Sequence, residues 1–320
     1  MKIVVMGTGG FAVPSFRKLL DAGYEVPVLV TMPIRTRRSD RLPPPEIRIV
    51  AETHSIPIFE PDNINKTGAD FLRSLSADLL FICDYGKILK PEIISIFPYG
   101  GVNLHGSLLP KYRGAAPINR AIMAGETRLG VSLIHITPTV DAGPVIALDS
   151  YIPAETDTAP AIESHLAEIG GDLLIANMGK IAKRKDRAVP QTDTEATPAP
   201  KIRKEEGLID WTKTVHEIHN QYRALQPWPK TFTDWARDPG KPPIRLILGP
   251  LEIAETDSPF SHALPIPCGT VVAADKSRGI LVRAADGLIR VFGVQPSGKK
   301  AMEIGPFLSG YRMKPGTRFE

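Results

Sequence analysis

The sequence predicts an α/β fold: a Rossmann-like open, mostly parallel sheet, followed by a C-terminal small β-barrel of OB-like type. Three observations predict it. The first half alternates short apolar β-type runs with helical patterns, the order that builds a parallel sheet. Residues 189–200 are rich in Thr, Pro and Ala and read as a linker. Beyond them, short strands broken by turns replace the alternation, as in small barrels. The expected domains are 1–190 and 205–320, joined by a linker at 191–204.

Each element has its own signal. Residues 2–6 form an apolar run that enters the turn Gly7-Thr8-Gly9-Gly10, a helical pattern covers 14–22, and a second strand is expected at 26–31. A loop rich in Arg and Pro occupies 32–45, and a helix is expected at 46–54. Strands follow at 78–83 and 101–105, then a helix at 117–123 that opens on Pro117, where a first-turn proline belongs. Strands at 130–136 and 144–148 and a long helix at 159–183 complete the first half. In the second half a helix is expected at 214–224, with strands around 244–253, 269–273, 279–283 and 288–291.

A chain of 320 residues with 42% hydrophobic content can build two cores. No apolar run approaches the roughly 20 residues of a membrane helix, so no membrane association is expected. The opening strand lacks a small-residue cleavage site, and no signal peptide is expected. Cys83 and Cys268 lie far apart, which argues for a reducing, cytoplasmic setting rather than a disulfide framework. Net charge is +4 but uneven. Residues 1–200 hold 21 Lys and Arg against 22 Asp and Glu, a net of −1, while 201–320 hold 18 against 13, a net of +5. A basic second half suits a polyanionic partner, and ordinary surface charge explains it as well.

The segment richest in chemistry is Gly100–Gly114, G-G-V-N-L-H-G-S-L-L-P-K-Y-R-G. Asn103 and His105 stand two apart on an expected strand, so both side chains face one side. They lie at the strand's carboxyl end, where open α/β sheets bind ligands. An Asn NH₂ can donate to a carbonyl oxygen that becomes negative in a tetrahedral intermediate, a contact worth roughly 3–4 kcal/mol. A His can take or give a proton near neutral pH. Asp141, in T-V-D-A-G-P-V, is the best carboxylate to orient it, with Gly143 allowing close approach. No serine or cysteine elbow stands nearby, which favours direct transfer. The competing reading is structural, since Asn-x-His at a strand end and Asp before Gly both satisfy turns.

With these residues in view, the segment resembles the signature of the folate-dependent formyltransferase superfamily: Asn-x-His, then Ser-Leu-Leu-Pro, then a later Asp. The resemblance implies a catalytic set of Asn103, His105 and Asp141. It also implies a folate pocket at Ser107, Leu108, Leu109 and Pro110, with Tyr85 and Gly86. Further matches narrow it: Gly7-Thr8 with Phe11-Ala12-Val13-Pro14, Gly114-Ala115-Ala116-Pro117-Ile118, Pro227-Trp228-Pro229, and Gln295-Pro296-Ser297-Gly298-Lys299-Lys300-Ala301-Met302. They resemble the branch acting on initiator methionyl-tRNA. That branch implies 10-formyltetrahydrofolate as formyl donor, no metal, a monomer, and a catalytic first domain with a tRNA-binding second. Expected tRNA contacts are Arg35, Arg37, Arg38, Arg41, Lys299 and Lys300.

Two departures stand out. The family's loop after the second strand reads Gln-Pro-Asp-Arg, then Gly-Arg-Gly; here residues 32–41 keep arginines and lose the glycines. The family's Ala-Tyr-Gly is here Asp84-Tyr85-Gly86. His216 and His219 share a helix face without a third metal ligand, and Trp228 reads as core. Two other functions compete: a formyltransferase acting on an amino-sugar nucleotide, and a non-catalytic folate- or RNA-binding module.

Overall fold

The computed structural model describes residues 1–34, 44–238, 240–254 and 266–320. The chain divides into two compact units. One comprises Met1–Ile118, Thr127–Ala154 and Ala161–Lys201; the other comprises Asn119–Glu126, Glu155–Pro160 and Ile202–Glu320.

The first unit is built on a seven-stranded sheet. Its strands begin with β1 (Ile3–Gly7), β2 (Leu29–Val30), β3 (Ile58–Phe59), β4 (Leu79–Cys83) and β5 (Gly101–His105). A two-residue strand outside that sheet, β6 (Arg113–Gly114), precedes β7 (Leu129–His135) and β8 (Val145–Tyr151). The spatial order is β3-β2-β1-β4-β5-β7-β8. The pairs among β1 to β5 are parallel, and β7 runs antiparallel to both β5 and β8. Helices α1 (Val13–Asp21), α2 (Glu46–Thr53), α3 (Ile64–Thr67), α4 (Ala69–Ser74), α5 (Pro91–Ile94) and α7 (Ala159–Ala182) fill the connections, and α6 (Pro117–Met123) belongs from Asn119 onward to the second unit.

Helices on both faces of a parallel sheet demand strands that are apolar throughout, and β1, Ile-Val-Val-Met-Gly, is buried at all five positions. Residues 191–201 are packed into this unit. Strand β9 (Pro198–Ala199) pairs in parallel with β6, Arg113 opposite Pro198 and Gly114 opposite Ala199.

The second unit begins with α8 (Val215–Ala224), capped by the Thr214 hydroxyl, which accepts from the Glu217 N–H, while Glu217 reaches back to the Thr214 N–H. Strands β10 (Thr231–Trp235), β11 (Ile244–Leu248), β12 (Leu251–Ile253), β13 (Val271–Asp275), β14 (Gly279–Arg283), β15 (Leu288–Val291), β16 (Gly293–Pro296) and β17 (Met302–Glu303) precede α9 (Ile304–Tyr311). They form two antiparallel sheets, β10-β11-β16-β17 and β12-β15-β14-β13. The chain turns from one sheet to the other at Gly249-Pro250 and at Phe292, and the corners meet where the Gly249 N–H donates to the Gly293 carbonyl, 3.0 Å. Ile218, Leu246, Val282, Ile289 and Phe307 fill the shared core.

Several elements escaped the sequence. Strand β10 carries polar residues at buried positions: Thr231 and Thr233 are fully buried, the latter accepting from the Trp211 indole N–H at 3.0 Å. Satisfied threonines in the core of the second unit erase the apolar alternation that marks a strand. Trp228 is a correction, being 55% exposed rather than core.

The turns after β1 and β4 share space. Asp84 adopts φ +50°, and its carbonyl accepts from the Thr8 N–H at 3.0 Å, prolonging the β1–β4 ladder. Its carboxylate lies on Gly9: a Cβ at Gly9 would fall 1.7 Å from Asp84 Oδ2. Gly9 itself has φ −89°, open to any residue, so the cost of a side chain there comes from contact with the Asp84 carboxylate rather than from backbone conformation. Gly9→Ala should therefore lower stability in urea by about 1 kcal/mol, and less than half as much in an Asp84→Ala background. Equal losses in both backgrounds would contradict the shared-space account.

Candidate active site

The chain leaves β1 toward β2 and β3 on one side, then returns to build β4 and β5 on the other. This reversal opens a crevice beyond the carboxyl ends of the strands. Ile82 of β4 lies opposite Asn103 of β5 in parallel register, so Asn103 and His105 end their strand at the level of the Cys83–Asp84 turn. Val102 and Leu104, of opposite parity, are buried in the core, while Asn103 is half-buried and His105 is 6% exposed.

His105 and Asp141 come together across the sequence, Nδ1 lying 3.6 Å from Asp141 Oδ2. That is ion-pair range but beyond a hydrogen bond, and the neighbouring contacts explain the gap. The backbone carbonyl of Tyr112, which can only accept, lies 2.9 Å from His105 Nε2, so Nε2 carries a proton. With Nε2 as donor, Nδ1 is an acceptor in the neutral tautomer, and two acceptors do not hydrogen-bond each other. Asp141 Oδ2 also accepts from the Gly114 N–H at 2.9 Å. The Asn103 amide has no hydrogen-bond partner among the described residues, which leaves its NH₂ available to a ligand.

The loop after β5 is held internally. The Ser107 hydroxyl donates to the Lys111 carbonyl at 2.7 Å, and the Leu109 N–H donates to Ser132 Oγ at 3.0 Å. Ser107 and Leu109 are buried, Leu108 and Pro110 half-buried. Tyr85 points into the core below the crevice, where burial pushes its hydroxyl up to about 12; Gly86 is exposed. Side chains of Ser107, Leu109 and Tyr85 are thus turned inward, while Leu108 and Pro110 remain partly exposed.

Asp84 is open to solvent yet ringed by protein. Burial pushes its carboxyl above the usual range, and burial followed by the Asp84 charge does the same to Glu163. The Cys83 thiol beneath is pushed well up, first by burial, then by both carboxylates. Neither carboxyl has a hydrogen-bond or ion-pair partner among the described residues, so two acceptors near Cys83 stay unused.

Arg35, Arg37, Arg38 and Arg41 lie outside the described residues. Lys299 and Lys300 sit exposed on a tight turn in the second unit, where Gln295 Nε2 donates to the Lys299 carbonyl at 3.1 Å. Beside that turn is an open cavity of about 700 Å³, lined in part by Tyr222, Gln226, Lys230, Lys276 and Gln295. Among the described residues, no three His, Cys, Asp or Glu side chains group closely enough to hold a metal, and no helix is long and apolar enough to cross a membrane.

Sequence reasoning missed Tyr112 and Gly114, which act through backbone groups that no side-chain pattern reveals. It also missed Gln191, whose amide reaches the Asp141 loop.

The chain matches the family model described as formyl transferase over residues 1–178, and that described as formyl transferase, C-terminal domain, over 201–312. It is 37% identical to the methionyl-tRNA formyltransferase of Rhodopirellula baltica over 331 residues, covering 99% of this chain and 96% of that one. The protein of the same name from Methylacidiphilum infernorum is 39% identical over 323 residues, covering 99% and 97%. Among solved structures, an N-formyltransferase from Helicobacter canadensis in complex with folinic acid and dTDP-3-aminofucose superposes with a TM-score of 0.64 at 19% identity, covering 92% of this chain and 99% of that one. HypX from Aquifex aeolicus in complex with tetrahydrofolic acid gives 0.62 at 15% identity, covering 97% of this chain and 47% of that one. At such identities the structures speak for the fold alone, and they agree on it. Two matched models that together span nearly the whole polypeptide, with full-length relatives above 30% identity, make this chain a member of the formyl transferase family and a formyltransferase.

Proposed function

We propose that the chain transfers the formyl group of 10-formyltetrahydrofolate to the α-amine of initiator methionyl-tRNA, for translation initiation in the cytoplasm. The observation that carries this reading is the meeting of His105 Nδ1 and Asp141 Oδ2, 3.6 Å apart, beside the unengaged amide of Asn103. The full-length relatives named methionyl-tRNA formyltransferase support tRNA as acceptor over an amino-sugar nucleotide, whose formyltransferases match at 20% identity or less.

The residues suit the chemistry of direct transfer. The neutral amine attacks the formyl carbon, forming a C–N bond and driving the carbonyl electrons onto oxygen. Asn103 donates to that oxyanion, where a preorganised donor contributes roughly 3–4 kcal/mol. The acceptor pair of His105 Nδ1 and Asp141 Oδ2 receives the amine proton, directly or through a water. That proton then passes to the departing folate nitrogen as its bond to the formyl carbon breaks, leaving formylated amine and tetrahydrofolate. Ser107 to Pro110, with Tyr85 and Gly86, shape the folate side through backbone and loop geometry. Lys299 and Lys300, and Arg35, Arg37, Arg38 and Arg41 in the arginine loop, offer positive charge to tRNA phosphates, which needs no base readout.

His105→Ala should lower turnover by about 100-fold or more while tRNA binding, read by gel shift, stays within a few-fold of wild type. Wild-type turnover in that variant would refute the assignment. Replacing Lys299 and Lys300 together by Ala should reduce the slope of log Kd against log salt by about two, one per lost phosphate contact. An unchanged slope would remove that turn from the tRNA interface.

A further inference from the structure

Asp141 holds φ +53°, a left-handed backbone that costs a non-glycine residue strain and needs its surroundings to maintain it. The group that meets this loop is the side chain of Gln191. Its Nε2 lies 2.7 Å from the Asp141 carbonyl oxygen and 2.7 Å from that of Gly143, so both N–H bonds of one amide are used on the two carbonyls flanking Ala142. Its Oε1 accepts from Arg113 Nε at 3.0 Å. This inventory fixes the amide's orientation, because a flipped amide would set its oxygen against two carbonyl oxygens. Arg113 is held in turn by Asp193 at 2.9 Å.

The same short segment also grips the strand that touches the imidazole. The Thr197 hydroxyl accepts from the Tyr112 N–H at 2.9 Å, and the Thr197 carbonyl accepts from the Arg113 N–H at 2.8 Å. Tyr112 supplies the carbonyl on His105 Nε2, and Gly114 supplies the N–H on Asp141 Oδ2. Residues 191–199 therefore reach both halves of the His105–Asp141 pair through backbone, while Gln191 touches neither the imidazole nor the carboxylate.

We propose that Gln191 is a positioning residue for formyl transfer: its amide, oriented by Arg113, clamps the Asp141–Gly143 loop so that the Asp141 carboxylate stays across from His105. The segment expected as a linker is then part of the reaction apparatus. The proposal rests on the reading of Asp141 as the partner of His105.

The test is a double-mutant cycle in the full-length protein. Gln191→Ala should lower kcat roughly 10- to 100-fold, the scale of a displacement of about 1 Å at a reacting group. KM for tRNA and for the folate donor should stay within about twofold, because the clamp contacts neither. Gln191→Glu keeps the side chain's size but sets oxygen against both carbonyls, and should lose as much; a merely space-filling glutamine would tolerate it. In an Asp141→Asn background, Gln191→Ala should cost less than about twofold, since the group it positions is already disabled. Wild-type kcat in both Gln191 variants, or an undiminished loss in the Asp141→Asn background, would overturn the clamp. Wild-type turnover in Asp141→Asn alone would instead overturn the reading of Asp141, so the two failures are told apart.

Discussion

Parallel backbone pairing sets Gly7 of β1 opposite Cys83 of β4 and Ile82 of β4 opposite Asn103 of β5. Neighbouring strands in such a ladder lie about 4.8 Å apart, so three turns of different chemistry are brought to one edge. The glycine turn after β1, the Asp84 turn after β4 and the Asn103–His105 end of β5 owe their proximity to that register. A slip of one residue in β5 would send Asn103 and His105 to the opposite face. The ladder resists slipping because Val102 and Leu104 are anchored in the core.

On this frame, His105 and Asp141 are held mostly by main-chain atoms. Tyr112 decides which imidazole nitrogen holds its proton, and Gly114 aims the carboxylate. The consequence is that the Nδ1 side of the imidazole faces the Asp141 carboxylate across a gap held open by backbone contacts on both partners. The separation of 3.6 Å lies within ion-pair range and just beyond a hydrogen bond.

How much of this was legible depended on where the information lay. Strand β5 could be read residue by residue because an apolar run is bounded by glycines, and two polar side chains interrupt it at spacing two. Asp141 could be nominated from the sequence as the carboxylate before a glycine-containing turn, but Asp-Ala-Gly alone also reads as a plain turn, and the resemblance strengthened the choice. Gln191 could not be read at all: its hydrogen bonds go to carbonyls 48 and 50 residues away, and carbonyls have no side-chain signature. The Thr-, Pro- and Ala-rich stretch around it looks like a tether because composition reports flexibility, not docking. In the second unit, buried threonines hid β10, and exposed Trp228 overrode the expectation that a large aromatic is internal.

The contact between Gly9 and Asp84 also constrains history. With 1.7 Å between one residue's missing side chain and the other's oxygen, a side chain at position 9 requires the Asp84 carboxylate to move aside. Bulk at position 9 is therefore least costly in a lineage that lacks the acid or turns it toward solvent.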